Sequence, residues 1–307
     1  MTGAVQRPFR RYSATTQGDI LTTWTRYGAA GVFIGAPLTA APKINSTVEG
    51  VTIGAQSYSF RDRPLDAAIQ GFKGTGLGLC ELWQGHMERG HANRRDGREE
   101  LRQWRLSVSL DEFEAAGQKF REAGVDLYAY NYSFREDFTD AEIERGFEMA
   151  KALGAKVMTA SSNVTTSARV DPFAKKHKIR VGMHNHSNIR ENEFATPDDF
   201  ERALKGRSSY IAINLDIGHF TAANFDAVDY IRKHHDDIVT LHLKDRKRNQ
   251  GDNVPFGQGD TPIKEVLALL RERKSALPAN IEYEYKGGDS VEEVAKCFQY
   301  CKRALES

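Results

Sequence analysis

The sequence has few cysteines, almost no excess charge and no long apolar run. Its three cysteines, Cys80, Cys297 and Cys301, form neither a Cys-x-x-Cys nor a Cys/His pattern, and an odd number gives no complete disulfide framework. Lys and Arg total 43 against 42 acidic residues, so no basic field attracts nucleic acid. No segment has the roughly 20 consecutive apolar residues that a membrane-spanning helix needs. These absences argue against a nucleic-acid-binding protein, a disulfide scaffold and stable membrane insertion.

Signatures of phosphate binding are also missing. No Gly-rich fingerprint follows the first predicted strand, which argues against a dinucleotide-binding fold. What is present is the composition of an ordinary globular protein, with 40% hydrophobic and 28% charged residues in 307 positions. A chain of this length holds one large domain or two small ones, so the order of its elements has to decide.

The first 48 residues differ in character from the rest. Arg7, Arg10 and Arg11 precede a weakly apolar run at residues 27–41, which ends in small residues. A basic end, an apolar segment and a small-residue region, in that order, are typical of an export signal. We therefore predict an N-terminal extension over residues 1–48 and a periplasmic or exported protein; the alternative is an extension on a cytoplasmic protein.

From residue 49 onward the sequence alternates short β-branched or aromatic runs with amphipathic helical patterns. The predicted strands are residues 51–58, 78–83, 125–131, 155–160, 179–184, 211–216, 238–243 and 281–285. Helical patterns at residues 65–72, 109–123, 140–153, 197–204, 226–234, 263–273 and 291–304 lie between or after them. Eight strands in such an alternation predict an α/β fold, a (β/α)8 TIM barrel that forms a single domain over residues 49–307.

A long, charged segment at residues 88–104 follows the second predicted strand. In a parallel barrel this segment belongs to the face where active sites are built. It is either a lid over the substrate or a solvated insertion.

Metal-capable side chains recur where the predicted strands end. The fifth strand ends in His184, the sixth in Asp216 and the seventh with His242, and the eighth contains Glu282. All strand ends of a parallel barrel meet at one face, so we expect these four residues to form a metal site. Imidazole and carboxylate together suit Mn²⁺, Zn²⁺, Co²⁺ or Fe²⁺. Mg²⁺ is a further candidate, and Mn²⁺ or Zn²⁺ is favoured.

Several motifs make the sequence recognisable. They are GAQSYSFRD at residues 54–62, CELWQG at 80–85, HNH at 184–186, LDIGH at 215–219, HLKD at 242–245 and IEYEY at 281–285. In these motifs the sequence resembles the xylose-isomerase-like barrel superfamily of sugar isomerases and epimerases. The LDxGH and HLKD motifs together are the most specific part of this resemblance. The resemblance implies that Asp216, His242 and Glu282 are metal ligands and that the partner is a small carbohydrate; a homo-oligomer stays open.

Further polar residues near the strand ends are candidates for acid/base chemistry and for sugar binding. Acid/base roles are expected at Glu81, His186, Lys244 and Glu282. Substrate contacts are expected at Gln56, Trp83, Asn131, His219 and Glu284. Aromatic rings cover the apolar face of a sugar and amides bond its hydroxyl groups, while the i, i+2 spacing of Glu282 and Glu284 predicts that both face the barrel interior.

One departure from the superfamily pattern keeps the reaction open. Many sugar epimerases have a glutamate as the fourth ligand, at the end of the fifth strand, where this chain has His184. Those enzymes move protons with two metal-bound glutamates, and a neutral imidazole substitutes poorly for one of them. The leading hypothesis is a metal-dependent sugar isomerase or epimerase that acts by enolisation. A lyase (β-elimination) or hydrolytic enzyme that cleaves 3-keto-glycosides, and a non-catalytic carbohydrate-binding barrel, are the alternatives.

Overall fold

The computed structural model describes residues 42–88 and 97–307. The residues that carry the predicted export signal lie outside the described residues, as do residues 89–96 of the charged segment at residues 88–104. The strands are β1 (Thr47–Val48), β2 (Val51–Gln56), β3 (Leu79–Trp83), β4 (Asp126–Asn131), β5 (Val157–Ala160), β6 (Arg180–His184), β7 (Ile211–Asp216), β8 (Ile238–Leu243) and β9 (Ala279–Ile281). The helices are α1 (Leu65–Thr75), α2 (Arg98–Ser107), α3 (Leu110–Glu122), α4 (Asp140–Leu153), α5 (Thr166–His177), α6 (Pro197–Leu204), α7 (Ile217–Ala222), α8 (Ala227–His234), α9 (Ile263–Glu272) and α10 (Ser290–Glu306).

Strands β2 to β9 form a closed barrel. Each pairs in parallel with the next, and β9 returns to pair with β2 through Ile53–Ala279 and Ala55–Ile281. The short β1 runs antiparallel to β2 outside this ring. Eight parallel strands with helices between them are a TIM barrel, so the predicted fold class is confirmed.

The apolar core lies between the strands and the surrounding helices. Strands β7 and β8 are buried along their whole length, and aromatic side chains such as Phe72, Phe120 and Phe147 are fully enclosed. This agrees with a parallel sheet that is covered on its outer face by helices. The barrel interior differs, because its upper part carries buried polar side chains such as Glu81 and His242, both 0% exposed.

Helix starts follow the local sequence. Thr139 and Glu142 form a capping box at α4, and Thr196 and Asp199 form another at α6, where Pro197 occupies the first turn. Each hydroxyl satisfies a backbone N–H that has no partner inside the helix, which stabilises the helix by about 1 kcal/mol. These caps fix where the helices begin and hence how long the loops at the barrel mouth are.

The structure differs from the sequence prediction at the last strand and at three helices. Strand β9 ends at Ile281 rather than residue 285, because the N–H of Tyr283 donates to Ser59 Oγ, 2.9 Å away, rather than to a neighbouring strand. Glu282 and Glu284 therefore follow the strand. Helices α2, α5 and α7 were not predicted; α5 contains Pro172, which reads as a helix breaker in sequence.

Candidate metal centre

Four strand ends place His184, Asp216, His242 and Glu282 at one point of the barrel mouth. One ligand atom from each residue lies within 4.8 Å of the others, and the side chains are between 0% and 6% exposed. His184 and Asp216 are the last residues of β6 and β7, His242 is the fifth residue of β8, and Glu282 directly follows β9. The structure thus brings together all four residues of the predicted metal set.

Asp216 is held by its neighbours so that one carboxylate oxygen is left over. The backbone of Asp216 is clamped by the side chain of Asn185, which accepts from its N–H at 2.9 Å and donates to its carbonyl at 3.1 Å. Asp216 Oδ1 accepts the N–H of His219 and caps α7. Strand pairing sets Asp216 beside His242. Asp216 Oδ2 is thus the carboxylate oxygen that no backbone N–H engages.

The donor set fits a divalent cation. His184 Nδ1 is buried and has no hydrogen-bond partner within residues 42–88 and 97–307. Asp216 Oδ2 is buried as well; among these residues it accepts no hydrogen bond, but it pairs with the ammonium group of Lys244, 3.2 Å away. Leaving an imidazole nitrogen unpaired in a dry interior costs free energy, which a bound cation would recover. Two imidazoles and two carboxylates are ligands that zinc and neighbouring transition metals accept.

Lys244 is the positive charge of the site. It is 2% exposed, and its Nζ lies 3.2 Å from Asp216 Oδ2, 3.0 Å from Glu282 Oε2 and 2.6 Å from Glu284 Oε2. Burial acts against its ammonium form, but Asp216, Glu282 and Glu284 outweigh burial and raise the pKa of Lys244. Lys244 is therefore a permanent cation that contacts two members of the metal set. Glu282 and Glu284 both reach it, in agreement with the expectation that they face the same side.

The histidines of the site differ in charge. Burial, together with the neighbouring His242 and His186, holds the pKa of His184 well below its usual range, so its imidazole is neutral. Burial and Lys244 lower the pKa of His186 and of His219 as well. For His242 burial works in the same direction, but Glu81 and Glu282 on its two sides outweigh it and raise its pKa.

A cavity of about 250 Å³ opens onto the metal set. Of the residues predicted to bind substrate, all five line it: Gln56, Trp83, Asn131, His219 and Glu284. Of those predicted to act as acids or bases, His186, Lys244 and Glu282 line it too. Tyr58, Ser133 and Ser161 complete the wall with His184, and the Tyr58 and Trp83 rings meet edge to face at 5.0 Å. The cavity therefore combines an aromatic wall with amides, hydroxyls and acid/base groups.

Glu81 lies elsewhere than its predicted acid/base role requires. It is 0% exposed and is absent from the described residues that line the cavity. Gln56 and Thr159 donate to its Oε1, and His242 and Asn280 contact its Oε2. The carboxylate therefore sits beneath the metal set, among polar side chains from other strands.

Two residues beyond the HLK sequence shape the site without having been predicted. Asp245 accepts the backbone N–H groups of Gly257, Gly259 and Thr261 and so fixes the long loop after β8. Arg246 donates to His219 Nδ1 at 2.7 Å. Both lie within three residues of a predicted strand end, and Asp245 also belongs to the HLKD motif; these were the signals that the sequence offered.

The fold and the site together define a TIM barrel with a candidate metal centre at the carboxyl ends of its strands. The family model described as xylose isomerase-like TIM barrel matches residues 87–302, and the chain belongs to this family. None of the curated proteins matches the chain at a significant level. The described helices include none long and apolar enough to cross a membrane.

Solved structures give the same picture of the fold. A sugar phosphate isomerase/epimerase from Parabacteroides distasonis is 18% identical, with a TM-score of 0.61 over 88% of this chain and 100% of the other. The 3-keto-D-glucoside 4-epimerase YcjR from E. coli is 13% identical, with a TM-score of 0.63 over 82% and 99%. The IOLI protein, in a structure with a zinc atom, is 14% identical, with a TM-score of 0.64 over 83% and 98%. Matches at these identities show similarity of fold alone.

Proposed function

We propose that the protein is a metal-dependent enzyme that isomerises or epimerises a sugar or keto-sugar by enolisation. The observation that carries this proposal is the convergence of His184, Asp216, His242 and Glu282 beside a cavity that His184, Glu282 and Lys244 line. A divalent cation held by these four residues would polarise a carbonyl or hydroxyl oxygen of the substrate. The names of the similar structures, which include sugar epimerases and a protein with zinc, support the same choice.

The acid/base work falls to residues that line the cavity. Glu282 and Glu284 carry carboxylates that can accept a proton from a carbon next to a carbonyl, and neutral His186 is a third acceptor. Lys244 offers an ammonium group that can donate a hydrogen bond to an oxygen as negative charge develops on it. Glu81 is left out of this set because it is enclosed beneath the cavity.

The cavity favours an uncharged sugar over a sugar phosphate. Among the described lining residues, Lys244 is the sole lysine or arginine, and its charge is shared by Asp216, Glu282 and Glu284. A phosphate group would add two negative charges without a free cation to meet them. An exported protein, as the N-terminal sequence predicts, would also meet unphosphorylated sugars, and we include that location in the proposal.

The second candidate function is elimination from a 3-keto-glycoside. His184 favours it, because a neutral imidazole at the fourth ligand position leaves Glu282 as the one carboxylate of the metal set that faces the cavity. One base suffices to remove one proton and expel a neighbouring group, whereas symmetric epimerisation needs a proton-transferring group on each face. The YcjR epimerase is named for a 3-keto-glucoside, which makes such compounds suitable test substrates.

The test is to incubate protein loaded with Mn²⁺ or Zn²⁺ in D₂O with free aldoses, ketoses and 3-keto-glycosides and to follow the sugars by NMR. Deuterium incorporation at the carbon beside the carbonyl, with conversion to an isomer or epimer, supports the proposal. Release of the aglycone without such conversion supports the lyase. The Asp216→Asn variant serves as the control; a native protein that binds no stoichiometric metal would refute both, and would favour a carbohydrate-binding barrel without turnover.

A further inference from the structure

Glu81 occupies a tightly built site in the barrel interior. Its Oε1 accepts from Gln56 Nε2 at 3.0 Å and Thr159 Oγ1 at 2.6 Å, and its Oε2 lies 2.8 Å from His242 Nε2 and 3.2 Å from Asn280 Nδ2. These partners belong to β2, β5, β8 and β9, whereas Glu81 belongs to β3. The one carboxylate thus ties together five of the eight barrel strands.

The groups around Glu81 donate hydrogen bonds to its carboxylate. The amide groups of Gln56 and Asn280 can only donate through their nitrogens, and the hydroxyl of Thr159 receives Asn131 Nδ2 at 3.1 Å and so directs its own proton to Glu81. Both carboxylate oxygens of Glu81 therefore act as acceptors, and Glu81 is absent from the described residues that line the cavity.

The fourth partner, His242, has two ring nitrogens that face different groups. Its Nδ1 lies 3.1 Å from Glu282 Oε2, within the metal set, and its Nε2 lies 2.8 Å from Glu81 Oε2 and 3.1 Å from the side-chain amide of Asn214. Asn214 Oδ1 is buried and has no hydrogen-bond partner among the described residues, so the amide turned by 180° presents this oxygen to a proton on Nε2. An imidazole that binds a cation does so through the nitrogen without a proton, while the other nitrogen carries the proton. Since Nδ1 faces the other ligands, Nε2 is the nitrogen that keeps the proton and donates it to Glu81.

We propose that Glu81 is a positioning residue of the metal centre: it holds His242 in the tautomer and ring orientation that present Nδ1 to the cation. The inference rests on the proposed metal site and reassigns Glu81 from a predicted acid or base to a residue that acts through His242. A carboxylate behind a metal-binding histidine fixes the ring and increases its basicity, and loss of such a partner weakens metal binding by about 10- to 100-fold.

The experiment compares zinc affinity, measured against a chromophoric chelator, for the wild type, Glu81→Gln and Thr159→Val. Glu81→Gln preserves size but puts an amide under His242, and we expect about 10- to 100-fold weaker binding. Thr159→Val removes a different hydrogen bond to the same carboxylate and leaves the His242 contact in place. We expect it to lower the melting temperature while changing zinc affinity less than about twofold.

A second readout is the position of the proton on the His242 ring, and it needs the wild type alone. In zinc-loaded wild-type protein, ¹⁵N NMR of this ring should show the proton on Nε2 alone. A proton on Nδ1 in the wild type, or equal zinc affinity in the wild type and Glu81→Gln, would overturn the inference. Those two outcomes would leave the proposed function standing. Failure of the wild type to bind zinc or manganese would instead overturn the proposed function and this inference together. The failure of the inference alone is therefore distinguishable from the failure of both.

Discussion

Replacing Lys244 by methionine should strengthen metal binding. The ammonium group of Lys244 contacts Asp216 Oδ2 at 3.2 Å and Glu282 Oε2 at 3.0 Å, and both carboxylates belong to the metal set. A divalent cation must share these oxygens with the lysine or displace it. Methionine fills a similar space without charge, so the two carboxylates become more strongly attracting toward a cation.

The size of the effect follows from the two contacts. Opposite charges about 3 Å apart attract by about 1 kcal/mol even at the dielectric constant of water, and by several times more at an effective value of about 20. Even at the lower figure the two contacts amount to ~2–3 kcal/mol. Since 1.4 kcal/mol corresponds to a factor of ten in affinity, we expect Lys244→Met to bind Zn²⁺ or Mn²⁺ roughly 10- to 100-fold more tightly than the wild type.

The assay is a metal titration by calorimetry at fixed pH, with melting temperatures recorded with and without metal. Without metal, Lys244→Met should melt lower, because Asp216, Glu282 and Glu284 lose their shared counter-charge. With metal, much of that loss should be recovered, since a ligand that binds the folded state stabilises it. Lys286→Met is the matched control, because it removes one positive charge from an exposed side chain four residues beyond Glu282.

The reasoning would be refuted by a Lys244→Met protein that binds metal no more tightly than the wild type while remaining folded. An equal gain in Lys244→Met and Lys286→Met would also refute it, since the effect would then come from overall charge. Loss of turnover in Lys244→Met is compatible with tighter binding, because the lysine also lines the proposed substrate cavity.

Three further predictions concern the site and the fold. Asp216→Asn should reduce bound metal after dialysis, measured by plasma mass spectrometry, to a small fraction of the wild-type value; full retention would exclude Asp216 as a ligand. Gly54→Ala should lower stability in a denaturant titration by about 1–3 kcal/mol, because a Cβ there would overlap Asn280 Oδ1 and lie 2.8 Å from the carbonyl oxygen of Leu79; an unchanged midpoint would contradict this. Burial acts against the ionised Asp199, but hydrogen bonds from Thr196 and from the backbone outweigh burial and lower the pKa of Asp199. The ionised carboxylate therefore stabilises the folded protein above about pH 4, and this stabilisation is lost as the pH falls through the folded-state pKa. The stability gap to Asp199→Asn, followed by thermal melts, should therefore shrink below that pH, and a gap that widens would be evidence against the shift.

The sequence was sufficient to predict that His184, Asp216, His242 and Glu282 meet at the barrel mouth, because these residues lie at or next to strand ends. Asp216 and His242 lie on neighbouring parallel strands in equivalent positions, and strand pairing places them side by side. Parallel strands have little freedom in where their carboxyl ends lie, so the convergence with His184 and Glu282 follows from topology. The eight strands were predictable because their apolar runs alternate regularly with helical patterns.

The role of Glu81 could not be predicted in this way. Whether a side chain on β3 reaches the cavity or lies beneath it depends on how far each strand is displaced along the barrel relative to its neighbour. The pairing of β3 with β4 shifts between Cys80 and Glu81, which no sequence pattern indicates. A buried carboxylate with four partners and an exposed catalytic carboxylate therefore look the same in sequence. Helix α5 was missed for a local reason, since it contains Pro172.

The charges of the site explain why a histidine suits the fourth ligand position. Four carboxylates, Glu81, Asp216, Glu282 and Glu284, surround the proposed metal position, and Lys244 is the permanent cation in contact with three of them. A glutamate in place of His184 would add a fifth carboxylate to a region that is almost fully buried, where an excess of like charge is costly. With an imidazole there, one divalent cation and Lys244 together come within one charge of balancing the carboxylates. The imidazole of His184 thus allows Lys244 to lie in contact with Asp216, Glu282 and Glu284 beside the cavity without a further buried negative charge.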